Sequence, residues 1–460
     1  MEKKVSGSSP GLARLEIEEA AKSGAGVAWV RSEDGLRRVF VEGALPGDLV
    51  EARVAPLRKG AHSLEGKLVR VLSPAAGRRN PPCPAARACG GCPLGGLTPP
   101  AQRAARKRLL GKLFHEGGFP DAVIGDVLGM EGDREESFRN KSILYFSGAG
   151  GALRLGMYRA GTHEVAEGTL RCPQCPEWMG NAAEAVLAWA RRSGLSASPT
   201  GQLFSLLMRA GTRGRLAALT VTSPLGETVG EDLASSLRNA GLTGAVVSLK
   251  SRSGNFALGD ESRVLFGCGS VEAEIEGASF EVRPETFLQV NTPMTPVLYR
   301  IAIGVARAAK GSLVLDLYCG VGTISLLLAR EAARVVGVEV VPSSVEEARR
   351  NAERNGAANA EFVCGPAEVV LPELSRAGLR PASVFVDPPR KGLAPGVPAV
   401  IAGMAPEEVV YIACGPEALV RDAAAFRELG YGLGEVVPVD LFPGTLHVET
   451  VARFARKPGS

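Results

Sequence analysis

The run Ser312-Leu-Val-Leu-Asp-Leu-Tyr-Cys-Gly-Val-Gly-Thr-Ile-Ser325 decides the fold. It reads as a buried strand, Leu313 to Leu317, which breaks into a glycine turn and opens a helix through Leu328. Strand, glycine turn and helix in that order build the nucleotide-binding corner of α/β sheets. A glycine-x-glycine turn lets the backbone approach a ligand where a Cβ would clash, and the helix start behind it offers unpaired N–H groups. A second apolar strand, Val335-Val-Gly-Val-Glu339, ends in a carboxylate roughly twenty residues further on, the separation at which such folds grip a ribose diol. The sequence therefore predicts a nucleotide-type ligand at this corner rather than a bare βαβ crossover.

A dinucleotide fingerprint expects three glycines, whereas Gly320 and Gly322 are followed by Ser325. That pattern resembles an S-adenosylmethionine methyltransferase more than a dehydrogenase. Cys319, inside the turn, is a first candidate nucleophile until the other cysteines are placed.

Working outward, 460 residues with 45% hydrophobic content suffice for several domains with buried cores. No basic-then-apolar leader follows Met1-Glu-Lys-Lys, and Arg or Glu interrupts every apolar run well short of a membrane span, so a soluble cytoplasmic monomer is expected. A net charge of +4 permits a polyanion partner only where positive charge is clustered. Nine cysteines, an odd number, without an export signal favour metal binding or catalysis over a disulfide framework.

The N-terminal stretch is all strand: Gly26-Val-Ala-Trp-Val30, Arg38-Val-Phe-Val41, Leu49-Val-Glu-Ala-Arg-Val54 and Gly66-Lys-Leu-Val-Arg-Val-Leu72. Short strands at this density predict a small OB-like β-barrel, whose outward Arg53, Arg58, Lys59, Lys67 and Arg70 form either an ordinary solvated face or a track for a phosphate backbone. Gly24-Ala-Gly-Val-Ala28 and Gly43-Ala-Leu-Pro-Gly-Asp-Leu-Val50 resemble the RNA-binding TRAM domain. After a Pro/Gly-rich linker comes Cys83-Pro-Ala-Ala-Arg-Ala-Cys89-Gly-Gly-Cys92, three thiols that short turns can converge on one metal. Cys172, Cys175 and Cys268 are the candidates for a fourth ligand, and spacing alone fits either zinc or iron-sulfur. The helix from Pro100 to Glu116 carries Arg103, Arg106, Lys107, Arg108 and Lys112 around much of its circumference, a solvated face or an RNA contact. Phe138-Arg-Asn-Lys-Ser-Ile-Leu-Tyr-Phe146 and Leu155-Gly-Met-Tyr-Arg-Ala-Gly-Thr-His163 mix cations with aromatics, which suits unpaired bases as well as a half-buried sheet.

Three further motifs stand at predicted strand ends. Ser383-Val-Phe-Val-Asp387 runs into Pro388-Pro-Arg-Lys-Gly392, over the crevice at the carboxyl edge of a parallel sheet. Val409-Val-Tyr-Ile-Ala413 delivers Cys414-Gly-Pro416 to the same rim, where a thiol is placed for attack. The last segment, Phe442 to Val451, puts His447 and Glu449 on one face. Upstream, Phe287-Leu-Gln-Val-Asn291 offers in Gln289 a donor and an acceptor for a base edge or a methionine tail.

In this order, Asp-Leu-Tyr-Cys-Gly-Val-Gly-Thr, Asp-Pro-Pro-Arg-Lys-Gly, Tyr-Ile-Ala-Cys-Gly-Pro and His-Val-Glu-Thr-Val, behind a TRAM-like barrel and a Cys-Gly-Gly-Cys element, resemble the RNA uracil-5 methyltransferase family over nearly the whole chain. The resemblance implies an enzyme that methylates carbon 5 of a uridine with S-adenosyl-L-methionine. It assigns Cys414 as nucleophile, Glu449 as base and Gln289, Tyr318, Glu339 and Asp387 as cofactor contacts. It also implies a 4Fe-4S cluster on Cys83, Cys89, Cys92 and Cys172 and puts Arg139, Lys141 and Arg159 at the RNA. The barrel and cysteines favour the 23S rRNA branch over tRNA. Two departures stand out: Gly415 replaces the family's usual Asn after the nucleophile, and Leu288 replaces a Phe. With a thiol already delivered by Cys414, Cys319 becomes a packing residue of the cofactor loop. The expected architecture is multi-domain α/β: an OB-like β-barrel over residues 1–73, a central α/β cysteine-cluster RNA-binding domain over 74–279 and a Rossmann-like methyltransferase domain over 280–460. Two other readings compete: a methyltransferase for another base, and a non-catalytic RNA-binding protein, which needs neither Cys414 nor Glu449.

Overall fold

A computed structural model describes residues 11–21, 23–32, 35–55, 63–199, 201–251, 254 and 256–459. Arg58 and Lys59, expected on the outward face of the N-terminal strands, lie outside them.

The described residues build three large sheets in succession, with a two-stranded hairpin between the second and the third. The first holds β1 (Gly11–Glu16), β2 (Glu19–Ala20), β3 (Gly26–Ser32), β4 (Gly35–Val41), β5 (Leu49–Val54) and β6 (Ser63–Ser73) in the order β1-β5-β6-β4-β3-β2. Alternating residues such as Leu15, Val39, Val41, Val50 and Ala52 fill its inner face, the period-two pattern of a half-buried sheet. Ile17 donates to Asp48 and Glu18 to Val27, so the β1–β2 connection joins the β5 and β3 sides and the sheet curls.

Helices α1 (Ala86–Cys89) and α2 (Pro99–Glu116) follow. The buried stripe of α2 is Gln102, Arg106, Leu110 and Phe114, one residue per turn. Phe114 enters an apolar cluster with Leu419, Val420 and Phe426 of the C-terminal half. Arg106 is fully buried and paired with Asp440, so this cation faces protein and not RNA. Its neighbours Lys107 and Lys112 also meet carboxylates, those of Asp126 and Glu19.

The second sheet comprises β7 (Lys141–Ser147), β8 (Arg154–Gly156), β9 (Leu203–Ala210), β10 (Arg215–Val221), β11 (Gly244–Leu249) and β12 (Glu261–Phe266), ordered β12-β11-β10-β9-β7-β8. Helices α3 (Glu177–Arg192) and α4 (Glu227–Asn239) cover one face through Met179, Trp189 and Leu233. On β7 the alternate residues Ser142, Leu144 and Phe146 turn to those helices, leaving Lys141, Ile143 and Tyr145 on the opposite face. Tyr145 and Tyr158 stack on each other at 4.1 Å, so their faces are in part already used.

A hairpin, β13 (Val271–Ile275) and β14 (Ala278–Val282), leads to α5 (Thr295–Val305) and the third sheet. There β15 (Leu313–Leu317), β16 (Arg334–Glu339), β17 (Ala360–Cys364), β18 (Ser383–Val386), β19 (Glu408–Ala413), β20 (Tyr431–Val439) and β21 (Glu449–Arg456) stand in the order β17-β16-β15-β18-β19-β21-β20. The interleaved helices are α6 (Thr323–Leu328), α7 (Pro342–Arg354), α8 (Ala367–Arg376), α9 (Val397–Gly403) and α10 (Pro416–Glu428). The first five strands in sheet order are parallel, and β21 inserts antiparallel between β19 and β20. Strand order reverses between β15 and β18, and a doubly wound sheet opens its ligand crevice at such a switch point. No helix of the described residues is long and apolar enough to cross a membrane.

Candidate active site

The β15 turn forms one wall of the crevice. Tyr318 takes a φ of +63°, and Gly320 and Gly322 follow at +56° and +84°. A side chain at Gly322 would press on Phe362 and Ala348, so the turn needs glycine for space as well as for its backbone angle. Asp316 is buried beneath it and accepts a 2.5 Å hydrogen bond from Ser325 Oγ. Ser325, which stands where a third glycine was looked for, therefore holds the strand-end carboxylate, whose pKa burial pushes up to about 7. The Glu339 carboxylate takes the Gly320 amide at 3.1 Å and the Val341 amide at 2.8 Å, spanning the turn and the entry to α7. Tyr318 is half-buried, with its hydroxyl against the backbone of Ala394 and its pKa raised by burial to about 12. Cys319 is buried, and a Cβ on Gly337 would stand 2.9 Å from its sulfur. Burial holds that thiol well above the ordinary range, as expected of a packing residue.

The other wall comes from the strand pair β19 and β21. Ala413 lies opposite Thr450, so the next antiparallel step brings Cys414, just past β19, opposite Glu449, the first residue of β21. Glu449 is 2% exposed, and among the described residues its Oε2 has no hydrogen-bond partner. An orphaned carboxylate oxygen costs about 1–3 kcal/mol or more, so such an atom in a crevice marks a place where a ligand completes the structure. Burial first, then the neighbouring Asp387, raise the Glu449 pKa to about 8, while Arg390 pulls the other way. Burial, Glu449 and Asp387 raise Cys414 to about 11, again opposed by Arg390. Asp387 itself is raised to about 7 by burial and Asp316. Cys414, Glu449, Asp387 and Arg390 thus share one electrostatic neighbourhood. Arg390 Nη2 lies 3.1 Å from His447 Nε2, and the Phe442 ring meets the same imidazole edge to face.

Gly415 has a steric cause. A Cβ there would lie 2.9 Å from the Arg390 carbonyl oxygen, so glycine lets the nucleophile's turn and the Asp-Pro-Pro-Arg turn touch backbone to backbone. Gly392 in the second turn is similarly pressed by Asp422, which accepts the Leu393 amide at 2.9 Å and the Tyr411 hydroxyl at 2.7 Å. Asp422 had no signal in the sequence, because its partners come from a loop and a strand earlier in the chain.

Gln289 is buried on the β7 side, where its backbone carbonyl accepts a hydrogen bond from Asn140 Nδ2 at 2.8 Å. It lines a cavity of about 30 Å³ with Asn140, Thr292 and Thr295. Arg139 stacks on Phe138 and bonds Gln174, and Lys141 is largely buried beside Arg209 with a pKa lowered to about 8 by burial. Arg159 is exposed.

Among the described residues, no group of three or more His, Cys, Asp or Glu side chains is arranged to hold a metal ion. Burial first, then the neighbouring Cys172, Cys89 and Cys83, push the Cys92 thiol up to about 12 against the pull of Arg139, and a hydrogen bond from Cys175 lowers the Cys172 pKa. Gln174 Nε2 approaches Cys92 Sγ at 3.4 Å. Four soft thiol donors with an amide directed at one sulfur fit a thiolate-bound centre in chemistry. Of the other fourth-ligand candidates, Cys175 is buried beside Cys172, and Cys268 sits exposed between β12 and β13.

Residues 270–457 match the family model described as tRNA (Uracil-5-)-methyltransferase. An uncharacterised RNA methyltransferase of Clostridium tetani is 34% identical over 421 residues, 90% of each chain. A second, from Gloeobacter violaceus, is 36% identical over 452 residues and 96% of each. The crystal structure of Pyrococcus abyssi tRNA (uracil-54, C5)-methyltransferase in complex with S-adenosyl-L-homocysteine superposes with a TM-score of 0.74 at 23% identity, covering 96% of this chain and 100% of that one.

Proposed function

This chain belongs to the RNA uracil-5 methyltransferase family, and we propose that it methylates carbon 5 of a uridine in 23S rRNA, using S-adenosyl-L-methionine, as a cytoplasmic monomer. The observation that carries the chemistry is that Cys414 stands across β19 and β21 from the buried carboxylate of Glu449, whose Oε2 has no hydrogen-bond partner among the described residues.

Carbon 5 of uracil is too poor a nucleophile to take a methyl group directly. Cys414 adds as thiolate to carbon 6, which makes the ring enolate-like and carbon 5 electron-rich. Bound S-adenosyl-L-methionine would supply the methyl group to carbon 5 from its cationic sulfonium and leave as the neutral thioether S-adenosyl-L-homocysteine, and its positive charge would favour the ionised forms of Asp387 and Glu449. Glu449 then removes the carbon 5 proton, the carbon 6–sulfur bond breaks, and Cys414 leaves as thiolate. Arg390 opposes the raised pKa values of both groups and so supports each ionisation. Glu339, Tyr318, Asp387 and Gln289 are the residues that would hold the cofactor, with Gly320 and Gly322 clearing its approach.

Cys83, Cys89, Cys92 and Cys172 would hold a 4Fe-4S cluster with a structural role. The curled N-terminal sheet over 1–73 would act as a TRAM-like RNA-binding domain, the middle of the chain over 74–279 as a second RNA-binding domain, and 280–460 as the methyltransferase. The ribosomal assignment over tRNA rests on the N-terminal sheet and the four cysteines. Mapping 5-methyluridine by mass spectrometry in a strain lacking the gene tests it. Loss of one or more 23S rRNA sites is expected, and loss confined to tRNA would overturn the ribosomal assignment.

A further inference from the structure

The base reaches the crevice on the loop that joins β20 to β21, and elements from the N-terminal half grip that loop at nearly every step. Arg106 of α2, without any exposed surface, donates from Nη1 to Asp440 at 2.6 Å and from Nη2 to the Phe442 carbonyl at 3.1 Å. Its Nε and Nη2 both reach the Thr445 carbonyl, at 3.0 and 2.7 Å. One guanidinium fork therefore ties the two ends of the loop together, which a lysine ammonium cannot reproduce. One turn earlier on the same face, Gln102 Oε1 accepts the Gly444 amide at 2.7 Å. One turn later, Leu110 packs against Val448, the residue immediately before Glu449. The cysteine loop closes the other side: the Leu94 amide donates to the Gly444 carbonyl at 2.8 Å, and Gln174 Nε2 to the Pro443 carbonyl at 2.8 Å. Thr445 passes the constraint on, because its hydroxyl accepts the His447 amide at 3.0 Å.

Among the described residues Glu449 Oε2 has no hydrogen-bond partner, so none of them aims that oxygen. Its direction follows from where the backbone enters β21, a point held by the pairing of Glu449 with Val439 and by the loop that joins the two strands. We infer that α2 is a positioning element for proton removal, with Arg106 and Gln102 fixing the 440–446 loop and through it the carboxylate of Glu449. This assignment rests on Glu449 being the base, and it makes Arg106 a positioning residue without contact to the reacting atoms.

Arg106→Lys keeps a positive charge against Asp440 and removes the fork on Thr445 and Phe442. With total RNA from a strain lacking the gene as substrate, methyl transfer in a single turnover is expected to stay within about threefold of the parent. Release from the covalent protein–RNA adduct is expected to slow about 10- to 100-fold, the scale on which small misplacements act. The adduct then accumulates on a denaturing gel. Gln102→Met should shift release in the same direction by less, about three- to tenfold, and decides the matter with the same readouts if the lysine variant does not fold. A folded variant that slows transfer and release equally, or neither, overturns the inference. Glu449→Gln run in parallel separates the two failures: if it too accumulates no adduct, the base assignment has failed, and if it alone accumulates adduct, only the role of α2 has.

Discussion

The two walls of the crevice treat their polar groups in opposite ways. At the β15 turn, Asp316 is met by Ser325, and Glu339 by two backbone amides. At the strand pair, Glu449 keeps an oxygen without a partner, and Cys414 is held protonated by burial and by two carboxylates. The first wall satisfies its polar groups from within the protein and offers a fixed receptacle. The second leaves Glu449 Oε2 unsatisfied among the described residues, and a polar group kept so at a cost of about 1–3 kcal/mol is one that a ligand can complete. Stability is concentrated at the first wall and reactivity at the second.

Removing the thiol breaks the second wall outright. Cys414→Ala is expected to abolish methyl transfer and the covalent RNA adduct together while leaving cofactor binding intact, read by radiolabel transfer and equilibrium dialysis. Normal turnover by this variant would remove the strand pair from the chemistry. Glu449→Gln sharpens the contrast in two directions at once. Turnover should fall by about 10²- to 10⁴-fold through loss of the general base. Stability should change with pH, because the folded-state pKa lies near 8 against an ordinary value of 4.5. The folded protein then binds the Glu449 proton more tightly than the unfolded chain, so wild-type stability falls as pH rises between those values. Glutamine does not titrate, and the Tm difference in its favour should widen from pH 5 to pH 8 and level off above. A difference flat across that range would contradict the burial argument. Gly415→Ala should act least. Its Cβ must displace the Arg390 carbonyl, and a loss of about three- to tenfold in kcat with unchanged cofactor affinity is expected. A neutral result would mean that the two turns yield to each other.

The first wall was legible in the sequence because strand, glycine turn, helix and the following Glu339 are contiguous and each rests on backbone geometry. Asp387 and Cys414 were legible for the same reason, as residues at the ends of apolar strands. The placement of Cys414 opposite Glu449 depends on β21 inserting antiparallel between β19 and β20, a tertiary choice that no local pattern records. Arg106 was read with the other cations of α2 as a solvated or RNA-facing charge. Its partner Asp440 lies 334 residues further on, and only that pairing makes a buried cation tolerable. Tyr145 and Tyr158 carried a correct sheet signal, but their mutual stacking depends on how Tyr158 folds back after β8.

The stripe on α2 bears on where the molecule can be cut. A fragment starting at residue 280 would keep every crevice residue named here and yet lose Phe114 from the cluster around Leu419, Val420 and Phe426. It would also strip Asp440 of the Arg106 guanidinium and uncover the loop that α2 packs against. The smallest self-sufficient catalyst in this chain is therefore larger than the segment that carries its chemistry, and swapping RNA-recognition parts onto that segment requires carrying α2 along with it.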